Sequence, residues 1–372
     1  MVVALLLSLA AIPVLAQQTA PSVELHGYMQ NRFYANPDRP ARFVTDRVSL
    51  SAIGHLGTDA TGYVEVYYHP WLTDRAIVAP AAPGVVGFTA DQFRVYIESA
   101  YVDMPLAKGR IRVGKGRQLN FGLTPSYPNR KTSQYGILAE TFTQDRITGA
   151  QYDQKIGEVD IGASLYTDLR VENRKIGDFA GNPVNGLTPG ANVVSHIADK
   201  DDPANNPGTL AGSLRFGITK PNFQAHLSGA TGRMVRDDVN TLAAAYGVAS
   251  TSTKHAKYGL DSSYSCGPYV FQAEIYQGQF SFLKVTGYQV LIGYQPKDKA
   301  RFYARWSAIN NDGNLTSNQL TWSPRQLTLG VIQPIRKGVW VEVDYEKNTE
   351  SRPTGIASPG NDMLFAELFT GF

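Results

Sequence analysis

The spacing of extended segments limits the possible folds of this chain more than any other feature. About sixteen segments alternate apolar and polar side chains with the period of two that is typical of β-strands. The connections between them alternate in length, so that short ones such as residues 104–109 fall between long ones such as residues 70–92 and 117–145. Nothing in the architecture of a soluble β-sandwich requires connections that alternate between short and long. A membrane-spanning barrel explains this alternation, because it has tight turns at one end and long loops at the other.

The sequence therefore predicts an all-β fold: a transmembrane antiparallel β-barrel of about sixteen strands with short periplasmic turns and long extracellular loops. The predicted strands lie near residues 22–34, 43–55, 62–69, 93–103, 109–116, 146–152, 158–167, 209–217, 222–230, 254–264, 269–278, 285–294, 300–308, 325–333, 339–347 and 361–372. The number is even, as bacterial barrels require.

The segment "YVFQAEIYQG", residues 269–278, illustrates the alternation within one strand. Tyr269, Phe271 and Ile275 share one face, and Glu274 and Tyr276 share the other. In a soluble sheet the apolar face would point to a core. In a membrane barrel it faces lipid, and the charged face lines a wet lumen.

The start of the chain predicts export. Residues 1–16, "MVVALLLSLAAIPVLA", carry no charge and end with Val14 and Ala16 in the small-residue positions of a cleavage site. A membrane anchor would need about 20 apolar residues, so this stretch is too short for one. We predict a signal peptide at residues 1–16, a single barrel domain at residues 17–372, and a location in the outer membrane of a Gram-negative-type (diderm) bacterium.

The end of the chain has the alternating pattern of a strand that is paired within a sheet. In "NDMLFAELFTGF", residues 361–372, Leu364, Leu368 and Phe372 lie on one face and Glu367 on the other. Every backbone N–H and C=O inside a bilayer must be paired, so this strand is predicted to close the barrel against the first one. Phe372 then lies in the aromatic girdle.

Composition excludes several function classes. Charged residues are only 18% of the chain and the formal charge is +3, which is too small to indicate nucleic-acid binding. The six histidines are scattered over different strands and loops without a nucleophile motif, so no enzyme activity is predicted. The acidic segment 199–206 lacks the central Gly and terminal Glu of a helix-loop-helix calcium site. No metal and no cofactor are predicted.

Two segments resemble a known family. "DRVSLSAIGHLG" at 46–57 and "ESAYVDMPLAKGRIRVGKGRQLNFGL" at 98–123 resemble the phosphate-selective porin O and P family. The C-terminal Phe372 resembles the signal that Gram-negative barrels present to the barrel assembly machinery. The resemblance implies a homotrimeric diffusion channel with basic residues along the pore and with the third long loop, residues 117–145, folded into the lumen.

Alternation assigns candidate anion-binding residues to the lumen. In "GRIRVGKGR", Ile111 and Val113 take the lipid face, and a bulge at Gly114 or Gly116 is expected to turn the following cation inward. Guanidinium groups in a row can bind oxyanions through paired hydrogen bonds. These assignments give Arg110, Arg112, Lys115, Arg117, Arg301 and Arg305, and the third long loop, which the resemblance implies is folded into the lumen, adds Arg130 and Lys131. The alternative is a mixed lumen whose charges pair with one another, since Glu65, Asp160, Glu274, Glu342 and Asp344 also fall on the polar face.

The predicted function is passive diffusion of small hydrophilic solutes across the outer membrane, with a preference for phosphate-like anions. The partners are outer-membrane lipid, two further copies of the chain, small anions and the barrel assembly machinery. One alternative is a specific channel for sugars or small organic acids, in which the lumenal Tyr28, Tyr166, Tyr276 and Tyr303 stack on the solute. The alternative from a different class is a soluble β-rich binding protein.

Overall fold

The computed structural model describes residues 22–36, 39–57, 59–68, 95–123, 135–143, 146–175, 195–200, 209–296, 299–358 and 360–372. The predicted signal peptide and the whole loop at residues 70–92 lie outside these ranges. Among the described residues, no helix has the length and apolar character needed to cross a membrane.

Sixteen antiparallel strands form a closed barrel. They are β1 (Ser22–Asn36), β2 (Arg39–Leu56), β3 (Ala60–Tyr68), β4 (Val95–Leu106), β5 (Gly109–Arg117), β6 (Arg146–Ile156), β7 (Val159–Thr167), β10 (Leu210–Lys220), β11 (Phe223–Arg233), β12 (Lys254–Cys266), β13 (Tyr269–Phe280), β14 (Leu283–Tyr294), β15 (Arg301–Asn311), β16 (Ser323–Arg336), β17 (Val339–Ser351) and β18 (Met363–Gly371). Each strand pairs with its neighbours along the chain, β7 pairs with β10, and β1 pairs with β18. The predicted fold and strand number are confirmed.

The long connections contain elements that the sequence did not predict. β8 (Arg170–Lys175) and β9 (Ser195–Lys200) form a separate two-stranded sheet between β7 and β10. A short helix, α1 (Ile137–Phe142), lies between β5 and β6, and a longer one, α2 (Arg236–Tyr246), lies between β11 and β12. A 3₁₀ turn, Gln319–Thr321, precedes β16. The segment 168–208 was predicted as a plain loop, and that was wrong for β8 and β9.

The two faces of the barrel wall have opposite polarity. On β13, Phe271 and Ile275 are 41% and 42% exposed on the outside, whereas Glu274 and Tyr276 are buried on the inside. The same inversion runs around the barrel, with Leu214, Leu227 and other large apolar side chains exposed outward. An apolar exterior and a charged interior are what a bilayer requires of a barrel.

The last residue completes the barrel. The backbone N–H of Phe372 donates to the carbonyl of Gly27 at 2.9 Å, and the N–H of Gly27 donates to the carbonyl of Phe372 at 3.0 Å. The Phe372 ring lies on the outer face over Gly27, where any Cβ would come within 2.5 Å of it. Leu364 and Leu368 share this outer face, and Glu367 points inward and is buried. The terminal strand thus pairs with the first one through its final residue.

Candidate functional site

We call the loop between β5 and β6, residues 118–145, the constriction loop, and its described parts, residues 118–123 and 135–143, lie inside the lumen. The Asn120 amide donates to the Ser164 hydroxyl on β7 at 2.9 Å, and the Leu119 carbonyl accepts from Arg215 on β10 at 3.3 Å. The Leu123 N–H donates to Glu274 on β13, also at 3.3 Å. The loop therefore crosses from one wall of the barrel toward the other.

Helix α1 holds the far part of the constriction loop against the wall formed by β13, β14 and β15. Leu138 and Phe142 pack where the wall carries Gly278 and Gly287, and a Cβ on Gly287 would lie 2.3 Å from Leu138 Cδ1. The Lys257 ammonium donates to the Phe142 carbonyl at 2.7 Å and satisfies one of the last carbonyls of this helix. Because these two wall positions are glycines without side chains, the wall leaves room for the helix.

The residue before the helix needs glycine for two reasons. Gly136 has a φ of +83°, a backbone conformation that is costly for other residues. A Cβ there would also lie 2.7 Å from Gln289 Oε1 and 2.8 Å from Arg305 Nε. The constriction loop therefore covers Arg305 closely.

Several loops meet in one apolar core inside the mouth of the barrel. The core joins residues of the constriction loop, the β8–β9 sheet, helix α2, the wall strands β13 to β15 and the segment before β16. Its buried members include Phe121, Leu138, Phe142, Val171, Ile197, Val239, Leu242, Tyr246, Phe280, Val285, Ile309 and Trp322. Burial here raises the pKa of the Tyr246 hydroxyl above its usual range. Packed side chains fill this side of the mouth, so the solute path is expected along the opposite wall.

The opposite wall carries three buried arginines and the half-buried Arg47. Arg32 on β1 pairs with Glu367 and, at 2.9 Å, with Asp46. The Arg47 guanidinium lies 4.8 Å from the centre of the Tyr67 ring. Arg117 donates to the Tyr135 hydroxyl of the constriction loop at 2.9 Å. We call Arg32, Arg47, Arg117 and Arg146 the basic wall.

Two β-bulges place extra carboxylates beside these arginines. In the β1–β2 pairing, Gln30 faces Arg47 and Asn31 faces Thr45, so Asp46 has no opposite residue. In the β3–β4 pairing, Glu98 is left over in the same way. Both carboxyl groups are buried, and Glu98 pairs with Arg146. A bulge can re-aim a side chain out of the regular alternation, and here each adds a carboxylate to the lumen.

A row of carboxylates occupies the wall beside the basic wall. Glu342, Asp344 and Glu346 follow one another on the inner face of β17, and all three are buried. The Tyr303 hydroxyl donates to Glu342 at 3.0 Å, and Arg305 lies 3.6 Å from Glu346. The lumen is therefore mixed in sign: β17 carries a row of carboxylates, and the basic wall carries arginines together with the carboxylates that pair with them.

Four of the predicted candidate residues occupy three different environments. Arg110 and Arg112 sit near the short-turn end and both pair with Asp103, at 2.5 and 3.2 Å. Arg117 belongs to the basic wall, and Arg305 is buried beneath the constriction loop.

The remaining predicted cations differ in what the structure shows of them. Arg301 donates to Gln295 from two of its nitrogens, at 2.8 and 2.6 Å. Lys115 is half-buried. Arg130 and Lys131 lie outside the described residues, as does most of the acidic segment 199–206.

The expected bulge in β5 is absent. β5 pairs in continuous register with β6 through both Gly114 and Gly116, and with β4 through Gly114 as far as Lys115. Gly114 instead takes a φ of +128°, and a Cβ on it would lie 2.3 Å from the carbonyl oxygen of Ala100. The close approach of two backbones, and not a bulge, explains the glycine at this position.

Sequence reasoning missed a buried polar cluster on the other side of the constriction loop. His226 lies 3.1 Å from Asp160 and 3.3 Å from Asp261, and Arg215 pairs with Asp261 at 2.7 Å. The available signal was the alternation along β10, β11 and β12, which assigns Arg215, His226 and Asp261 to the inner face of the barrel. In the described part of the chain, no three His, Cys, Asp or Glu side chains are placed to hold a metal ion.

Comparisons with known proteins support the barrel. No protein-family model matches the sequence, and no curated protein sequence matches it. OmpF of Salmonella typhi, solved in a complex with daunomycin, has a TM-score of 0.61 at 14% identity, over 94% of this chain and 97% of that one. An anion-selective porin from Comamonas acidovorans has a TM-score of 0.56 at 13% identity, over 95% and 100%.

The trimer form of OmpT, an outer membrane protein of Vibrio cholerae, is similar to the same degree. Its TM-score is 0.56 at 12% identity, and the match covers 95% of this chain and all of that one. At such identities the similarity shows the fold alone: this chain has the closed sixteen-stranded barrel of the outer-membrane porins.

Proposed function

We propose that this protein is an outer-membrane porin, a passive channel for small hydrophilic solutes with a preference for phosphate-like anions. The observation that carries the proposal is the closed barrel with an apolar exterior and charged side chains inside. Such a barrel is stable only across a bilayer, and its polar lumen admits water. No chemical turnover is part of this function, and the signal peptide at residues 1–16 and the barrel assembly machinery would deliver the chain to the outer membrane.

The basic wall supports the anion preference. The Arg47 guanidinium lies against the Tyr67 ring, and the Arg117 guanidinium lies against the Tyr135 ring. These contacts keep each guanidinium in place without changing its charge. A guanidinium can donate two parallel hydrogen bonds to a phosphate or carboxylate. An anion moving past this wall exchanges water for such donors at successive positions. Arg110, Arg112, Lys115, Arg130, Lys131, Arg301 and Arg305 are proposed as further pore-lining cations.

The selectivity test removes charge from the basic wall. A unit charge about 5 Å from a passing ion is worth roughly 0.8 kcal/mol in water, about fourfold in partition. Arg47→Gln combined with Arg117→Gln is therefore expected to reduce the anion-to-cation permeability ratio about tenfold in dilute KCl, and less at 0.1 M, where the screening length is about 10 Å. The zero-current potential across a salt gradient measures this ratio.

Arg301→Gln is the matched control, because Arg301 is already bound to Gln295, and it should shift the potential less. Arg130→Glu with Lys131→Glu tests the constriction loop in the same assay. An unchanged potential in the Arg47 and Arg117 variant would show that the basic wall does not filter charge.

A second candidate function, a channel for sugars or other ring-shaped solutes, is favoured by the lumenal aromatic side chains. Trp340 and Phe369 stack with ring centres 3.6 Å apart, Phe369 stacks on Tyr28 at 5.4 Å, and Tyr28 meets Tyr67 edge-on. The row extends across five neighbouring strands of the closed sheet, β17, β18, β1, β2 and β3, and all of these except β2 contribute one ring. Competition of sugars with chloride conductance distinguishes this function from a general anion channel.

We also propose that the protein is a homotrimer latched by the loop at residues 70–92, whose sequence is apolar for a water-facing segment. Deleting residues 76–87 is expected to convert most of the trimer to monomer on semi-native gels, because the apolar contact with the neighbouring subunit is lost. Heat-modifiable monomer shows that the barrel itself is intact. A trimer of undiminished stability would contradict the latch.

A further inference from the structure

His226 on β11 lies between two carboxylates on the inner wall of the barrel. Asp160 on β7 is opposite Gly217 on β10, and Gly217 is opposite His226. On its other side, His226 is opposite Asp261 on β12. A Cβ on Gly217 would lie 2.6 Å from His226 Cδ2, so the glycine leaves room for the ring to cross β10 and reach Asp160. The buried imidazole is therefore held between two acidic partners.

The hydrogen bonds around His226 determine which ring nitrogen carries the proton. A guanidinium group can only donate, and Nη2 of Arg215 lies 3.0 Å from Nδ1 of the ring. We therefore assign Nδ1 as the acceptor and place the proton of the neutral ring on Nε2, which lies 3.1 Å from Asp160. The same Nη2 also donates to Asp261 Oδ1 at 2.7 Å. Neutral His226 thus helps Asp261 to hold the guanidinium in place.

Arg215 connects this cluster to the constriction loop. Its Nη1 donates to the Leu119 carbonyl at 3.3 Å. Beside this contact, the Asn120 amide donates to the Ser164 hydroxyl at 2.9 Å, and Gly162 leaves the space that the Asn120 side chain occupies. These contacts fasten the start of the constriction loop to the wall formed by β7 and β10.

A second proton on His226 would change the partners of Arg215. Nδ1 would then carry an N–H that faces a guanidinium group, and two donors of like charge repel each other. The carboxylate oxygen beside this N–H is Asp261 Oδ1 at 3.3 Å, the oxygen that accepts from Arg215 when the ring is neutral. Protonated His226 and Arg215 therefore compete for one oxygen atom.

Charged and titratable groups face this cluster from all the strands around it. They are Asp153 and Lys155 on β6, Asp160 on β7, Arg215 on β10, Asp261 on β12, and Glu274 and Tyr276 on β13. The adjoining part of the constriction loop, residues 118–123, contains no titratable side chain. Carboxyl groups outnumber cations in this set, so a positive charge on His226 is compensated within the cluster.

We infer that Arg215 is the positioning residue for the start of the constriction loop, and that a proton on Nδ1 of His226 releases its hold on the loop. In acid, the protonated imidazole takes Asp261 Oδ1, Arg215 withdraws from the Leu119 carbonyl, and the start of the loop moves off the wall into the lumen. Histidine changes its charge between about pH 5 and 8, so the pore is narrower at the lower end of this range. The inference rests on the proposed channel function.

The test measures single-channel conductance of the mature protein in planar bilayers at about pH 8 and about pH 5. The solution contains about 1 M KCl, where the screening length is only about 3 Å. Wild type is expected to conduct roughly twofold less at the lower pH. His226→Asn should keep the higher conductance at both pH values, because its amide oxygen can accept from Arg215 and gains no proton. Arg215→Gln should show the lower conductance at both, because its contact with Leu119 is lost.

His26→Asn is the matched control. His26 also lies on an inner face and 3.3 Å from a carboxylate, that of Glu24, but it is at the short-turn end of β1, so this variant should keep the wild-type pH response. Heat-modifiability on gels checks that each variant folds. NMR of histidine-labelled protein reads the ring directly, and Nδ1 of His226 should gain a proton between the two pH values.

Three results would overturn the inference: a wild-type conductance that does not depend on pH, a pH response that survives His226→Asn, or an Nδ1 atom of His226 that stays in one state. Each of these leaves the proposed channel function intact. A folded wild-type barrel without any conductance would instead contradict the channel function, and the NMR measurement would still report on His226.

Discussion

Phe372→Ser is expected to lower the yield of folded, heat-modifiable barrel about tenfold or more. The Phe372 ring lies over Gly27 on the outer face and covers the point where the last strand meets the first. Phe372 is 70% exposed from the protein, so its gain comes mainly from lipid: moving an aromatic side chain from water to an apolar environment is worth about 1.5–3 kcal/mol, and each 1.4 kcal/mol is tenfold in an equilibrium. Without the ring, lipid and water reach the two backbone hydrogen bonds at the closure, which must stay paired inside the membrane.

Band shifts on unheated gels of outer-membrane fractions measure the yield. Leu329→Ser is the matched control, because Leu329 is 49% exposed on the outer face of β16 and is remote from the closure. Gly27→Val should also lower the yield, since its Cβ would lie 2.8 Å from the Ser49 carbonyl oxygen as well as against the ring. Wild-type amounts of Phe372→Ser barrel would show that the terminal ring has no part in closure or assembly.

Gly287→Val is expected to lower the single-channel conductance roughly twofold without unfolding the barrel. Its new methyl groups would occupy the seat of helix α1, where Leu138, Ile309 and Phe142 already lie within 3.0 Å of a Cβ. Extra volume in a close-packed core forces backbone shifts that cost about 1–3 kcal/mol. Because the wall strand is held in the sheet, the helix is expected to move instead, toward the basic wall.

Planar-bilayer recordings measure this conductance, and Gly293→Val is the control. Gly293 lies on the same inner face of β14, but a Cβ there would meet nothing closer than 3.7 Å. It adds the same methyl groups without touching helix α1. Equal conductance of Gly287→Val and wild type would mean that the position of the helix does not set the pore width.

The barrel was predictable because its signal is local and repeated. Segments such as residues 269–278 show their two faces by alternation alone, and the lengths of the connections assign the two ends. The closing role of the terminal strand followed from the need to pair every backbone group in a bilayer. These features depend on each strand and its neighbours, not on distant contacts.

The lumen was less predictable because its contacts join distant parts of the chain. Helix α1 packs on β13 to β15, more than one hundred residues later in the sequence. The β8–β9 sheet is stabilised by its contacts within the apolar core inside the mouth of the barrel. The sequence pattern of the segment itself did not indicate these two strands. Asp46 and Glu98 break the alternation at bulges, so period-two reasoning cannot assign their direction.

These two bulges also make the charge of the lumen easy to change during evolution. Asp46 and Glu98 are additional residues with no opposite partner, and the pairs directly next to each of them on both sides keep a regular register. Loss of one such codon would remove a single lumenal carboxylate and join the two regular parts of the strand, without turning any lipid-facing side chain inward. Ion preference in a lineage of such barrels can therefore drift by one-residue deletions and insertions, which elsewhere in a strand would invert its two faces.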